Sequence, residues 1–144
     1  LYGVDSAQSI QSKLSIIGTL KTTISQIKEV QKGETVGYGR KGSRDYTAKI
    51  AILAIGYADG YDRRFSNGVG EVFIHGQRAK IIGNVCMDMC MADVTDILEA
   101  KEGDEVEIYG KNISIIECAK KIGTIPYELL TKISRRVRRV YYWN

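Results

Sequence analysis

A mainly β fold is predicted by this sequence: a Greek-key-like closed β-barrel with two short helices near the C-terminus. Three observations carry the prediction. Short runs rich in Ile, Val and Thr recur along most of the chain, and Gly-rich turns separate them. Helix signals are confined to a late stretch near residues 114–130. No internal repeat is visible that would favour a solenoid or propeller. At 144 residues, the chain is long enough for one domain with a substantial core.

The elements follow in order. Residues 1–19 read as an inter-domain linker, with a polar, Ser/Gln-rich stretch at 5–13, and residues 20–144 as the barrel domain. The opening Leu1-Tyr2-Gly3-Val4-Asp5 has neither an initiator methionine nor a signal peptide, as expected of a fragment of something longer. A first strand is expected over residues 20–30, where Thr22, Ile24, Ile27 and Val30 alternate with polar neighbours. A second, at 49–55, is nearly all apolar and therefore central. A long loop follows through Gly56-Tyr57-Ala58-Asp59-Gly60-Tyr61-Asp62 and the Ser66-Asn67-Gly68 turn. Residues 71–74 and 78–82 flank His75-Gly76-Gln77 as a hairpin, and residues 85–94 and 105–109 supply further strands. Ser114 caps a helix to about Ile122, with Glu117 completing a capping box and Gly123 ending it. Pro126 opens a second short helix. Residues 137–143 return to strand.

Composition excludes several classes of function. No apolar run approaches the ~20 residues that span a bilayer. The net charge of +4 is mild, and much of it comes from Arg135, Arg136, Arg138 and Arg139. That cluster beside Tyr141, Tyr142 and Trp143 is the one feature a nucleic-acid partner would use. Basic residues elsewhere alternate with acids, and arginines also suit an interface, so no nucleic acid is expected. Nine tyrosines stand against two phenylalanines and one tryptophan, a surplus that suits half-wet clefts or interfaces. Cys86 and Cys90, four apart in an expected strand, would lie roughly 13 Å from one another, beyond disulfide reach. With one histidine and no CxxC pair, no metal site is expected, and the thiols read as reduced and buried in a cytoplasmic protein.

Three motifs could carry chemistry. Tyr38 lies in Gly33-Glu34-Thr35-Val36-Gly37-Tyr38-Gly39, between two strands, where flanking glycines permit a turn that projects a phenol. By itself the motif better suits a tyrosine capping a hairpin corner. The formal G-x-G-x-x-G match at 37–42 is rejected, because a dinucleotide site needs a helix after the glycines and a β-branched run follows instead. Gly56-Tyr57-Ala58-Asp59-Gly60-Tyr61 follows the central strand, where sites are often built, although its polar groups could simply stitch a loop. Val85-Cys86-Met87-Asp88-Met89-Cys90-Met91 holds all three methionines and suits a soft core strand. Asp88 in that run must be paired or at a strand end, since burying even a neutral polar group unpaired costs about 2–7 kcal/mol.

Taken together, the chain resembles the C-terminal β-domain of bacterial alanine racemases, fold-type III enzymes dependent on pyridoxal 5′-phosphate. The resemblance runs from Leu1-Tyr2-Gly3 through Leu20-Lys21-Thr22 and the motif at 33–39. It continues in order through 56–60, Gly83-Asn84-Val85-Cys86-Met87-Asp88, Gly103-Asp104-Glu105-Val106 and Thr124-Ile125-Pro126-Tyr127-Glu128. It implies interconversion of L- and D-alanine for peptidoglycan synthesis by a two-base mechanism with Tyr38 as the second base. A free phenol titrates near ~10, so a tyrosine base needs cationic or hydrogen-bonding support; Arg40 and Lys41 are near in sequence. The resemblance further implies Tyr57 at the substrate entrance, the Met87 backbone N–H on the substrate carboxylate, and Asp88 beside it. Tyr127 would bind the cofactor phosphate. The cofactor itself would be held covalently by a lysine of an N-terminal barrel not contained in this sequence, in a homodimer whose active site is shared between subunits. Gly37 departs from the family pattern, in which a larger residue often precedes the tyrosine. A related small amino-acid (serine) racemase, a decarboxylase of the same architecture and a non-catalytic β-barrel binding module are the competing readings.

Overall fold

In the computed structural model, residues 14–142 are described. Among these residues are eight strands and two α-helices, with single 3-10 turns at Tyr38–Arg40 and Arg63–Phe65: β1 (Leu20–Val30), β2 (Thr35–Val36), β3 (Gly42–Ser43), β4 (Ala48–Leu53), β5 (Glu71–Ile74), β6 (Gln77–Lys80), β7 (Cys90–Asp93), β8 (Glu105–Tyr109), α1 (Ile115–Lys121) and α2 (Pro126–Thr131). Six strands form one sheet in the order β6-β5-β8-β1-β4-β7, and all pairings in it are antiparallel. A bridge between Ile81 and Ala92 brings the two outer strands together, so the sheet nearly closes on itself. The barrel with two late helices expected from the sequence is therefore the observed architecture.

The long first strand organises the sheet. Its N-terminal part pairs with β8 (Leu20 with Tyr109, Thr23 with Glu105), and its C-terminal part with β4 (Ile24 with Leu53, Val30 with Ala48). Register shifts at Leu20/Lys21 and Ile24/Gln26 bend it between these partners, as bulges do. In β4 the two faces serve different cores. Ala51 and Leu53 point into the main core with Ile24, Val72, Ile74, Val106 and Ile108. Ala48 and Ile50 pack on the other side with Val36, Ile82 and Met91. This second cluster lies under the β2–β3 hairpin. Burial on both faces explains why β4 lacks alternation in sequence.

Several expectations are met closely. The first strand, the 71–74 strand and the 105–109 strand have the predicted limits. His75 and Gly76 form a two-residue hairpin turn, both with positive φ (47° and 80°), as a type I′ turn requires. Ser114 caps α1 by accepting a hydrogen bond from the Ile116 N–H. Pro126 sits in the first turn of α2.

Three expectations are corrected. The strand predicted over 85–94 is confined to Cys90–Asp93. Residues 85–89 form a turn closed by the Cys86 N–H on the Met89 carbonyl (2.9 Å), and the Cys86 and Met87 carbonyls accept from Tyr57 and Ala58 instead of a strand ladder. The Cys86–Cys90 spacing argument therefore does not apply, although all three cysteines are free thiols. The capping box is incomplete, because Arg78 and Lys121 take the Glu117 carboxylate. The return to strand at 137–143 is absent: residues 138–142 form no ladder, and Trp143 lies outside the described residues, as does the 5–13 stretch of the linker. No helix among the described residues is long and apolar enough to cross a membrane.

Candidate functional site

Tyr38 stands at the tip of a short hairpin. β2 and β3 pair Thr35 with Ser43 and Val36 with Gly42, leaving residues 37–41 as the tip. Gly37 (φ 78°), Gly39 (φ 75°) and Arg40 (φ 53°) all take left-handed backbone, and glycine lowers the cost of this at two of the three. The side chain of Tyr38 is 79% exposed, and its hydroxyl has no hydrogen-bond partner among the described residues. Its backbone, in contrast, is held: the Asn84 side-chain amide donates to the Tyr38 carbonyl at 3.0 Å. Val36 anchors the hairpin in the second core. Arg40, one of the two cations near Tyr38 in sequence, turns its Nε to the Thr35 hydroxyl (3.1 Å).

The loops at 56–60 and 85–89 are welded to each other. Tyr57 and Ala58 donate their N–H groups to the carbonyls of Cys86 and Met87, each at 3.0 Å. Asp59 accepts from the Gly56 N–H (2.9 Å) and from Arg136 Nε (2.7 Å). The same guanidinium donates to Asp88 at 2.7 Å. Asp88 is thus paired, as the sequence led one to expect, although it is exposed on a turn and burial does not require the partner. Arg136 clamps the two loops, and its pKa is raised by Asp59 first and Asp88 second. Tyr57, Met87 and Asp88 are exposed, and the Met87 N–H donates to no acceptor among the described residues.

Tyr127, in the first turn of α2, is exposed at a separate station. Its helix is tied to the 56–65 segment through Arg64, which bonds Glu128 (3.1 Å) and Asp62 (2.8 Å), and through Lys132 on Asp62 (2.7 Å). The Arg64 guanidinium first, then the Lys132 ammonium, hold the Asp62 carboxyl well below the ordinary carboxylate range against the opposing effect of burial. The structure therefore brings Tyr57, Met87 and Asp88 together directly. It joins Tyr38 to their loops through Asn84, and Tyr127 through the ion-pair network.

Arg136, Asn84, Asn67 and Ser66 are site elements that the sequence reading did not single out. Arg136 was visible only as one of four clustered arginines; the signal for it was the unpaired Asp88. Arg139 is committed too, donating to the carbonyls of Ile133, Ser134 and Val137. The cluster is therefore not four free cations. Burial pushes the Cys90 thiol up and the Cys118 thiol to about 11, so neither is a nucleophile near neutral pH. No group of three or more His, Cys, Asp or Glu residues among those described could hold a metal ion.

The sequence from residue 17 to residue 141 matches the family described as alanine racemase, C-terminal domain. Alanine racemase 1 of Clostridium acetobutylicum is 44% identical over 100% of this chain, which spans 39% of that protein's length. Among solved structures, the biosynthetic alanine racemase of Pseudomonas aeruginosa superposes with a TM-score of 0.90 at 36% identity, covering 99% of this chain and 40% of that one. The Bartonella henselae alanine racemase with covalently bound pyridoxal phosphate gives a TM-score of 0.90 at 32% identity, over 98% of this chain and 39% of that one. Sequence, barrel topology and near-complete coverage agree, and the chain belongs to the alanine racemase C-terminal domain family.

Proposed function

We propose that residues 20–144 are the β-domain of a cytoplasmic alanine racemase that interconverts L- and D-alanine and supplies D-alanine for peptidoglycan, with Tyr38 as one of two acid–base groups. The observation that carries the reading is Tyr38 itself: an exposed phenol with an uncommitted hydroxyl, on a turn whose backbone is held by Asn84. A general base must present a free oxygen while its position is fixed, and this arrangement supplies both.

The residues fit a phosphorylated cofactor and an anionic substrate. The hydroxyls of Tyr38, Tyr57 and Tyr127 and the Met87 N–H have no partner among the described residues, although all are exposed donors. Pyridoxal 5′-phosphate, when bound, supplies an electron sink that makes the Cα proton of alanine removable. A lysine of an N-terminal barrel domain would hold it, and Tyr127 would donate its hydroxyl to the phosphate. The Met87 N–H would receive the substrate carboxylate, a role in which the methionine side chain is not read. Tyr57, beside it, would narrow the entrance, with Asp88 and Arg136 fixing the loop. Tyr38 Oη would take the proton from Cα of L-alanine and return it to the same face in the reverse direction. The opposite face needs a group from outside this chain. The site would be completed across a homodimer, with Tyr38, Tyr57, Met87 and Asp88 facing the partner's cofactor.

Racemisation by the barrel-containing enzyme and its Tyr38→Phe variant tests the proposal. Removing a catalytic base costs about 10²–10⁴-fold in rate. Enantiomers have equal free energies, so kcat/KM must fall equally in both directions. The side-specific signature is therefore loss of solvent deuterium exchange at Cα from L-alanine, with the cofactor still bound. Rates within about threefold of the parent in both directions would remove Tyr38 from the chemistry.

A further inference from the structure

We propose that Asn84 is a positioning residue for Tyr38, with Asn67 fixing its amide, an inference that rests on the acid–base reading of Tyr38. The turn that carries Tyr38 has little to hold it. Within the hairpin, it is closed by the Arg40 N–H on the Gly37 carbonyl at 3.2 Å and by Arg40 Nε on Thr35. Among the described residues, Asn84 is the one side chain from outside the hairpin that bonds the backbone of residues 37–40.

The geometry of the amide leaves one assignment. A backbone carbonyl can only accept, so the atom of Asn84 that faces Tyr38 O must be the NH₂ group. The other end, Oδ1, accepts from the Asn67 side-chain NH₂ at 3.0 Å. Asn67 occupies the left-handed region at φ 55°, which Asn tolerates, and its N–H donates to the Gly83 carbonyl at 2.8 Å. Its neighbour Ser66 accepts from the Val85 N–H at 2.9 Å through a buried hydroxyl, which itself donates to the Arg63 carbonyl at 2.5 Å. Two consecutive residues of one turn thus hold two consecutive residues, Asn84 and Val85, at the head of the 85–89 loop. Through Asn84 the turn fixes Tyr38, and through Val85 it fixes the loop that carries Met87. The phenol and the Met87 N–H are referenced to the same support, 17 residues away in sequence from Asn84.

Asn84→Asp is the sharp test in the full-length enzyme. It keeps the shape and the acceptor for Asn67 but puts a carboxylate oxygen against the Tyr38 carbonyl. The expected result is a fall in kcat of about 10–100-fold, the scale on which small misplacements act, with KM within about twofold and the cofactor retained. In a Tyr38→Phe background the same substitution should change the residual rate by less than about twofold. An equal loss in both backgrounds overturns the proposal, because Asn84 would then act without Tyr38. Fluorine NMR of enzyme labelled with 3-fluorotyrosine, with the Tyr38 line assigned by its absence in Tyr38→Phe, reads the position directly. That line should shift or broaden in Asn84→Asp, and an unchanged line overturns the proposal whatever the role of Tyr38. Near-normal activity of Tyr38→Phe would instead sink the acid–base reading, and the fluorine line alone would then decide whether Asn84 holds the turn. If Asn84→Asp does not fold, Asn67→Ala applies the same pair of measurements, with the same outcomes.

Discussion

Gly56 holds two loops in contact through the side chain it lacks. A Cβ there would run into the carbonyl oxygens of Cys86 and Met87, the acceptors for Tyr57 and Ala58. Gly56→Ala is therefore expected to destabilise the fold by about 1–3 kcal/mol, the cost of overpacking a tight contact. It should also raise KM for alanine, because the displaced loop carries the Met87 N–H. Urea denaturation and steady-state kinetics of the full-length enzyme check both; an unchanged midpoint would mean that the two loops slide apart without cost. Asp88 carries a related lesson. A carboxylate in a run of methionines was expected to be paired on the premise of burial; it is exposed instead, and Arg136, 48 residues on, bonds it there. The pairing was legible in the sequence, but neither the partner nor the exposure of the carboxylate was.

Among the elements, α2 depends on ion pairs more than on length. Its six residues are too few for an isolated helix to persist in water, and it buries only Leu129 fully. Asp62, Arg64, Glu128 and Lys132 bind it to the 56–65 segment. Asp62 is depressed by Arg64 and then Lys132, so its contribution is fully present above its unfolded value near 3.8 and is lost as pH falls below that. The parent protein should therefore lose stability between about pH 4 and pH 2 faster than an Asp62→Asn variant, which starts less stable at neutral pH. Denaturation midpoints across that range test the sign; parallel curves would remove Asp62 from the acid response. The 85–89 segment shows where pattern reading failed at this scale. Apolar composition suggested a strand, but its carbonyls face Tyr57 and Ala58, so a loop-to-loop contact took hydrogen bonds that a ladder would have used. Glu117 failed as a capping residue for a similar reason, since Arg78 from β6 offered a charged partner.

At the scale of the whole molecule, the barrel gathers three loops from distant parts of the chain. β1 spans both halves of the sheet, and the Ile81–Ala92 bridge draws its edges together, which sets the 83–89 loop against both the Tyr38 hairpin and the 56–60 loop. The resulting surface offers a backbone donor and the phenols of Tyr38 and Tyr57 but no group assigned to the covalent anchoring of a cofactor. The 144-residue polypeptide alone is expected to retain no pyridoxal 5′-phosphate through gel filtration and to racemise alanine no faster than background. Polarimetry on the purified domain measures this, and turnover by it would relocate the anchoring lysine into this chain.

By itself, the sequence determined what local rules and ordered motifs carry. Those are the strands whose alternation or β-branching is strong, the His75-Gly76 turn, the Ser114 and Pro126 helix starts, and the family to which the blocks around Tyr38, Tyr57, Met87 and Tyr127 belong. Each depends on residues within a few positions of one another. Only the tertiary structure decided that Arg136 joins Asp59 to Asp88, that β4 separates two cores, and that Asn67 holds the Asn84 amide that bonds the carbonyl of Tyr38. These are side-chain bonds and packing contacts between elements far apart in the chain. Their partners are chosen by barrel closure, which no local pattern encodes.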